Sequence, residues 1–208
     1  MSIVDPDEAA RRLAADDPTG WFERLYAAAA SGAAVVPWDR GGPHPLLVDW
    51  LGERELTGTA LVVGSGPGSD AELVAARGAA TTAFDISPSA VAAARERFPG
   101  SSVDYRTADL LAPADEWRHA FDLVIEVMTV QSLPPSLHPA ATASVAGFVA
   151  PGGTLLVVAF AASDTDGPAA GPPWPLTRAE IDAFAAGGLT EVAVEWLDHR
   201  WRAEFRRE

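Results

Sequence analysis

The sequence predicts an α/β protein: a doubly wound, mainly parallel sheet of seven strands, with an antiparallel pair at its C-terminal edge and a helical cap before it. Three observations carry this expectation. From Thr59 onward, short apolar runs alternate with alanine-rich stretches of helical length, the pattern of a parallel sheet with right-handed crossovers. At the end of the first run, "LVVGSGPGSD" (61–70) places Gly64, Gly66 and Gly68 within five residues. In the tail, "LTEVAVEWLDH" and "RWRAEFRR" alternate apolar and polar residues, as half-buried antiparallel strands do.

The elements follow in order. Residues 5–32 read as helical: Asp5-Pro6 and Pro18 are start signals, and Gly32 is a stop. "VVPWDRGGPHP" is too rich in Pro and Gly to be regular, and "LLVDWLGER" resumes a short helix. "TALVVG" is the first strand, "DAELVAARG" a helix closed by Gly78, and "ATTAFD" the second strand. "SPSAVAAARERFPG" is a helix with Ser87 as its cap, Pro88 at its first position and Pro99-Gly100 as its stop. "SSVDYRTAD" holds the third strand. "FDLVIEVMTV" is apolar without alternation, so it is a central strand covered on both faces. A helix over "SLHPAATASVAGFVAPGG" ends at Pro151-Gly152-Gly153, and "TLLVVAFAA" is the fifth strand. Residues 163–175 have the composition of an irregular loop, and "LTRAEIDAFAAGG" is the last helix.

Composition narrows the function. The chain has 208 residues, 48% hydrophobic and 21% charged, as expected of one ordinary globular domain. No apolar run reaches the roughly 18 residues of a membrane span, and the acidic N-terminus does not resemble a signal peptide. A cytoplasmic location is expected. A net charge of −14 argues against nucleic acid and membrane surfaces as partners. The four arginines of "HRWRAEFRRE" are expected to guard an edge strand. There is no cysteine, which removes thiolate–metal sites and thiol nucleophiles. All 15 basic residues are arginine, which removes Schiff-base chemistry and the lysine of nucleotide-binding loops. No metal-ligand cluster is evident, and nothing in the sequence specifies an oligomeric state.

The glycine loop carries the chemistry. In a Rossmann-like sheet, ligands bind beyond the carboxyl ends of the strands, where strand order reverses. Gly64, Gly66 and Gly68 sit at the end of the first strand. Asp85 ends the second, 17 residues past Gly68, where a carboxylate accepts hydrogen bonds from ribose hydroxyls. Asp109, after the third strand, is placed to accept from an adenine amino group. The spacing here is G-x-G-x-G followed by Asp70, not the G-x-G-x-x-G of dinucleotide folds. An acid at the start of the following helix opposes a pyrophosphate and suits a ligand with an amino group.

With these residues in place, the sequence resembles the class I S-adenosylmethionine-dependent methyltransferases. "ALVVGSGPGSDAELVAARG", "AFDIS" and "TADLL" are similar to their first three motifs. "FDLVIEVMTVQSLPP" and "GFVAPGGTLLVV" are similar to their fourth- and fifth-strand segments, so the match spans roughly residues 57–160. A narrower resemblance links "WFERLY", "VPWDRGGPHPLLVDWL" and "GPPWPLT" to the thiopurine/halide/thiol methyltransferase branch. It implies a cap segment over residues 1–56 and an S-adenosylmethionine-binding domain over 57–208, together one structural unit. It implies Trp21 and Trp38 as cap residues over the cofactor, and Gly64, Ser65, Gly66, Gly68 and Asp70 as its glycine-loop seat. Asp85, Ile86, Asp109 and Leu110 would complete the nucleoside pocket, with Glu126 and Val127 near the sulfonium. The chain departs from the branch in two places. "YAAAASGAAVV" lengthens the gap before "PWD", and Ser65 stands where cysteine is common.

The resemblance implies in-line transfer of a methyl group to a small-molecule acceptor, a thiol, halide or hydroxyl. Trp38, Gln131 and Trp174 are candidates for acceptor contact, and Glu126 and His44 for a general base if the acceptor needs one. Two alternatives stand beside this reading: a catalytically silent S-adenosylmethionine-binding partner protein, and an NAD(P)-dependent oxidoreductase.

Overall fold

The computed structural model describes residues 17–162 and 171–208. Seven strands form one sheet: β1 (Thr59–Val63), β2 (Ala80–Asp85), β3 (Asp104–Thr107), β4 (Phe121–Val127), β5 (Val149–Phe160), β6 (Leu189–Leu197) and β7 (Arg200–Arg207). Their order is β3-β2-β1-β4-β5-β7-β6. The first five are parallel; β7 pairs antiparallel with β5, and β6 antiparallel with β7. The order reverses between β1 and β4, and the carboxyl ends of those two strands open the crevice where α/β sheets bind ligands.

Among the described residues, six α-helices accompany the sheet: α1 (Trp21–Ala30), α2 (Pro45–Leu51), α3 (Ser69–Ala76), α4 (Pro88–Arg97), α5 (His138–Phe148) and α6 (Arg178–Asp182). The central strands alternate their apolar side chains between two cores. Leu61 and Val63 of β1, Val124 of β4 and Leu155 and Val157 of β5 pack with Val145 and Phe148 of α5. Ala60, Val62, Ile125, Leu156 and Val158 face the other way, onto Leu47 of α2, Val74 of α3 and Val91 of α4. Both faces are dry, which is why these strands read as continuous apolar runs.

Local chemistry sets the ends of the helices. Ser87 caps α4 by accepting from Ala90 N, with Pro88 at its first position. His44 caps α2 by accepting from Leu46 N. Asp17 accepts from the amides of Thr19 and Gly20 and holds the turn from which α1 starts, so the helix begins at Trp21 rather than at Pro18. The predicted helical residues 5–16 lie outside the described residues.

Three expectations are corrected. The helix α5 ends at Phe148, and Pro151-Gly152-Gly153 belongs to β5. Phe121 pairs with Val149 but Leu123 with Thr154, so the intervening residues bulge from the ladder. A Cβ at Gly153 would press on the carbonyls of Phe121 and Asp122. The last helix is shorter than predicted: α6 gives way to a 3-10 turn over Ala183–Gly187. The basic tail is no edge guard, because β7 is paired on both sides and the edge is β6. Arg207 is buried, giving Nε to Val149 O and NH2 to Ala146 O, both at 2.7 Å.

Replacing Arg207 with Met keeps its bulk but strips two carbonyls at the end of α5 of their charged donor. Each such bond contributes about 1.5–3 kcal/mol. Urea denaturation of Arg207→Met is expected to show a loss of about 3–6 kcal/mol, with the fold intact by circular dichroism.

Candidate active site

A cavity of about 480 Å³ lies beyond the carboxyl ends of the parallel strands. Its floor is the glycine loop. The φ angles of Gly64, Gly66 and Gly68 are 59°, 50° and 90°, and a Cβ at each would collide with Thr129, Tyr26 and Tyr105 respectively. Side chains from other elements therefore fill the space each glycine leaves open. Asp85, at the end of β2, is buried and binds two amides: Oδ2 accepts from Gly66 N and Oδ1 from Ser87 N, both at 2.9 Å. Burial pushes its pKa up to about 6, against the opposing pull of those amides. Ile86 lines the wall beside it. Asp109 follows β3, accepting from Leu111 N at 2.8 Å, with the buried Leu110 also on the wall.

The roof is the segment from Thr19 to His44. Trp38 gives its indole N–H to the Tyr26 hydroxyl at 2.8 Å, and Trp21, Phe22 and Tyr26 each present a ring to Trp38 at centroid distances of 5.7–6.3 Å. The roof is fastened at three places. Glu23 accepts from Ser87 Oγ and Ser89 Oγ at 2.6 Å and from Ser89 N at 3.0 Å, which puts a carboxylate on the N-terminus of α4. Asp39 pairs with Arg97 at 3.1 Å. Asp70, in the first turn of α3, accepts from His44 N at 2.6 Å, and burial raises its pKa.

The structure brings Trp21, Trp38, His44, Gly64, Ser65, Gly66, Asp70, Asp85, Ile86, Asp109, Leu110, Val127 and Gln131 to this cavity. Three predicted residues stand off its wall. Gly68 is behind the loop against Tyr105. Trp174 packs on Trp21 and gives its backbone N–H to Gln131 O at 2.7 Å. Glu126 is wholly buried, and its Oε1 accepts from Thr129 N at 2.7 Å and Val130 N at 2.9 Å, so it caps the turn after β4. Its Oε2 has no partner, and burial pushes its pKa up to about 7. Gln131 Oε1 accepts from Phe160 N and ties the end of β5 to the wall.

Sequence reasoning missed Glu23, Tyr26, Arg40 and Phe160. Glu23 and Tyr26 are one helical turn apart, but nothing local tells that the turn faces the glycine loop. Phe160 ends an apolar strand that reads as core to its last residue.

Residues 60–153 match the model of a methyltransferase domain. The match and the fold make the chain similar to the class I S-adenosylmethionine-dependent methyltransferases. It is 27% identical over 198 residues to thiocyanate methyltransferase 1 of Brassica oleracea, covering 93% of this chain and 84% of the relative. The Arabidopsis thaliana thiocyanate methyltransferase 1 is 29% identical over 201 residues, covering 95% and 85%. Among solved structures, the N-methyltransferase NodS from Bradyrhizobium japonicum, in complex with S-adenosyl-L-homocysteine, has a TM-score of 0.69 at 21% identity. The overlay covers 89% of this chain and 98% of that one. No helix among the described residues is long and apolar enough to cross a membrane. Among the same residues, no group of His, Asp and Glu is placed to hold a metal ion.

The groups holding the site together generate two predictions. Removing the Glu23 carboxylate in Glu23→Ala deletes three hydrogen bonds from roof to α4. Limited proteolysis is expected to cut the roof faster than in the parent while the sheet core stays resistant. The second concerns Glu126. The native state holds its proton more tightly than the unfolded chain, whose value is the ordinary 4.5. Its contribution to stability therefore declines as pH rises from about 4.5 to 7, by up to about 3 kcal/mol. Glu126→Gln does not titrate. Its stability relative to the parent is expected to improve across that window and level off above it, as read from denaturation at pH 5, 6, 7 and 8.

Proposed function

We propose that this methyltransferase acts on a small, soft anionic nucleophile: a thiolate, thiocyanate or halide. The carrying observation is that every acid on the cavity wall already holds a structural partner, and those with lone pairs left suit the donor rather than the acceptor: Asp39 pairs with Arg97, Asp70 with His44 N, Asp85 with Gly66 and Ser87, and Asp109 with Leu111 N. Glu126 is turned into the fold. His44 uses its Nδ1 lone pair on Leu46 N, so its neutral ring offers an N–H and no base. A hydroxyl or protonated amine needs a base, whereas an anion that is already nucleophilic does not. Similarity to thiocyanate methyltransferases over most of both chains supports the same class.

The residues present fit the methyl donor. Asp85 and Asp109 keep lone pairs beyond those used on the backbone, suited to ribose hydroxyls and an adenine amino group. Ile86 and Leu110 offer apolar faces to the base. Asp70 suits the amino group of the methionine moiety. The buried Trp21 Nε1 and Ser65 Oγ have no partner among the described residues and are free to donate to acceptors on the ligand. S-adenosylmethionine supplies, when bound, a methyl group already activated on a sulfonium. The chain's own work is then positioning and water exclusion. Trp21, Phe22, Tyr26 and Trp38 close the roof, and aromatic faces favour a neighbouring positive charge.

An acceptor panel with S-adenosylmethionine tests the reading. Iodide, thiocyanate and a small thiol are expected to be methylated, and a phenol and a primary amine to react at least about tenfold more slowly. Turnover confined to the phenol or the amine would overturn it. S-adenosylhomocysteine is expected to raise the melting temperature, and NAD to leave it unchanged.

A further inference from the structure

One corner of the cavity gathers N–H donors and positive charge in a chain whose net charge is −14. His44 is its centre, on the cavity wall and only 7% exposed. Its Nδ1 accepts from Leu46 N at 3.2 Å. A backbone N–H can only donate, so Nδ1 keeps its lone pair and the neutral ring carries its proton on Nε2. That Nε2 is buried and meets no acceptor among the described residues. Burial, with Arg40 and Arg200 nearby, holds the ring's pKa down at about 4, so it is neutral at physiological pH.

The two arginines come from different parts of the chain. Arg40 belongs to the roof and lines the cavity. Arg200 opens β7, and its guanidinium lies 5.1 Å from the ring centroid of Phe160, itself a wall residue. Arg200 is not on the wall: its Nη1 binds Asp198 O at 3.0 Å and pairs with Asp198 Oδ2 at 3.4 Å, and its buried Nε has no acceptor among the described residues. The orphaned N–H on the wall itself is that of His44, an unfavourable arrangement until an acceptor arrives. His44 N also binds Asp70 Oδ1 at 2.6 Å, so this corner lies beside the glycine loop after β1, while Asp85 ends β2 and Asp109 follows β3.

We propose that His44, flanked by Arg40 and Arg200, is the anion-recognition element for the methyl acceptor, giving its Nε2–H to the acceptor's negative charge. It binds and orients the nucleophile and selects anions over neutral acceptors; it does not take a proton. This rests on the reading of the acceptor as an anion, and adds the residues that choose it.

The test uses a complex that cannot turn over. Thiocyanate is titrated into the S-adenosylhomocysteine complex of the full chain and followed by calorimetry, for the parent and for His44→Asn. Asparagine is a strong helix cap and keeps Leu46 N partnered while removing the ring N–H. His44→Ser, which also caps, serves as a second variant. Both are expected to weaken thiocyanate binding about tenfold and leave S-adenosylhomocysteine affinity within about twofold. Kinetically, KM for thiocyanate should rise more than kcat falls. The proposal is overturned if the parent complex does not bind thiocyanate, or if the variants bind it as tightly as the parent. It is also overturned if the variants weaken S-adenosylhomocysteine but not 5′-methylthioadenosine, which lacks the carboxylate; the anion at His44 is then the donor's own. If the parent binds thiocyanate through His44 yet methylates none of the anions, the acceptor reading fails while the anion site stands.

Discussion

One buried carboxylate, Asp85, joins the pieces from which the cavity is built. One oxygen holds the amide of Gly66 in the loop after β1, and the other holds the amide of Ser87 at the start of α4. Ser87 in turn gives its hydroxyl to Glu23 of the roof. The loop, the helix and the roof are thus tied through a group with little contact with water. Burial raises its pKa, and the two backbone amides favour the ionised form that the ties require. Shifting Asp85 would move all three walls together.

The glycine loop depends on packing as much as on backbone freedom. Thr129, Tyr26 and Tyr105 come from the turn after β4, from α1 and from β3, and each occupies the space a loop side chain would need. The cavity floor is therefore keyed to three distant elements at once. Tyr26 also receives the Trp38 indole N–H, so the residue that seats the roof on the loop also anchors its second tryptophan.

Charge is distributed with similar economy. The acids of the cavity accept from backbone amides, and the buried His44 Nε2–H stands on the wall without an acceptor among the described residues. On the proposed reading, a sulfonium donor and an anionic acceptor have opposite charges, and a low-dielectric cavity strengthens their attraction.

The sequence by itself determined the fold class, the parallel core and the position of the glycine loop with Asp85 and Asp109. These are legible because hydrophobic period, helix caps and the spacing of Gly and Asp are local properties of the chain. Most of the predicted site residues also converge on one cavity, since strand ends in an α/β sheet lie side by side whatever the details. Only the tertiary structure decided the rest. Pro151-Gly152-Gly153 looks like a helix stop but serves as a bulge, because β4 sets the register of β5. The arginine-rich tail looks like an edge but is paired on both sides, because β6 folds back outside it. The sequence makes Glu126 and His44 candidate bases; that backbone amides occupy Glu126 Oε1 and His44 Nδ1 is decided by the turns after β4 and before α2. Periodicity tells where a side chain points along its own strand or helix; its partners come from elsewhere in the chain, and only folding supplies them.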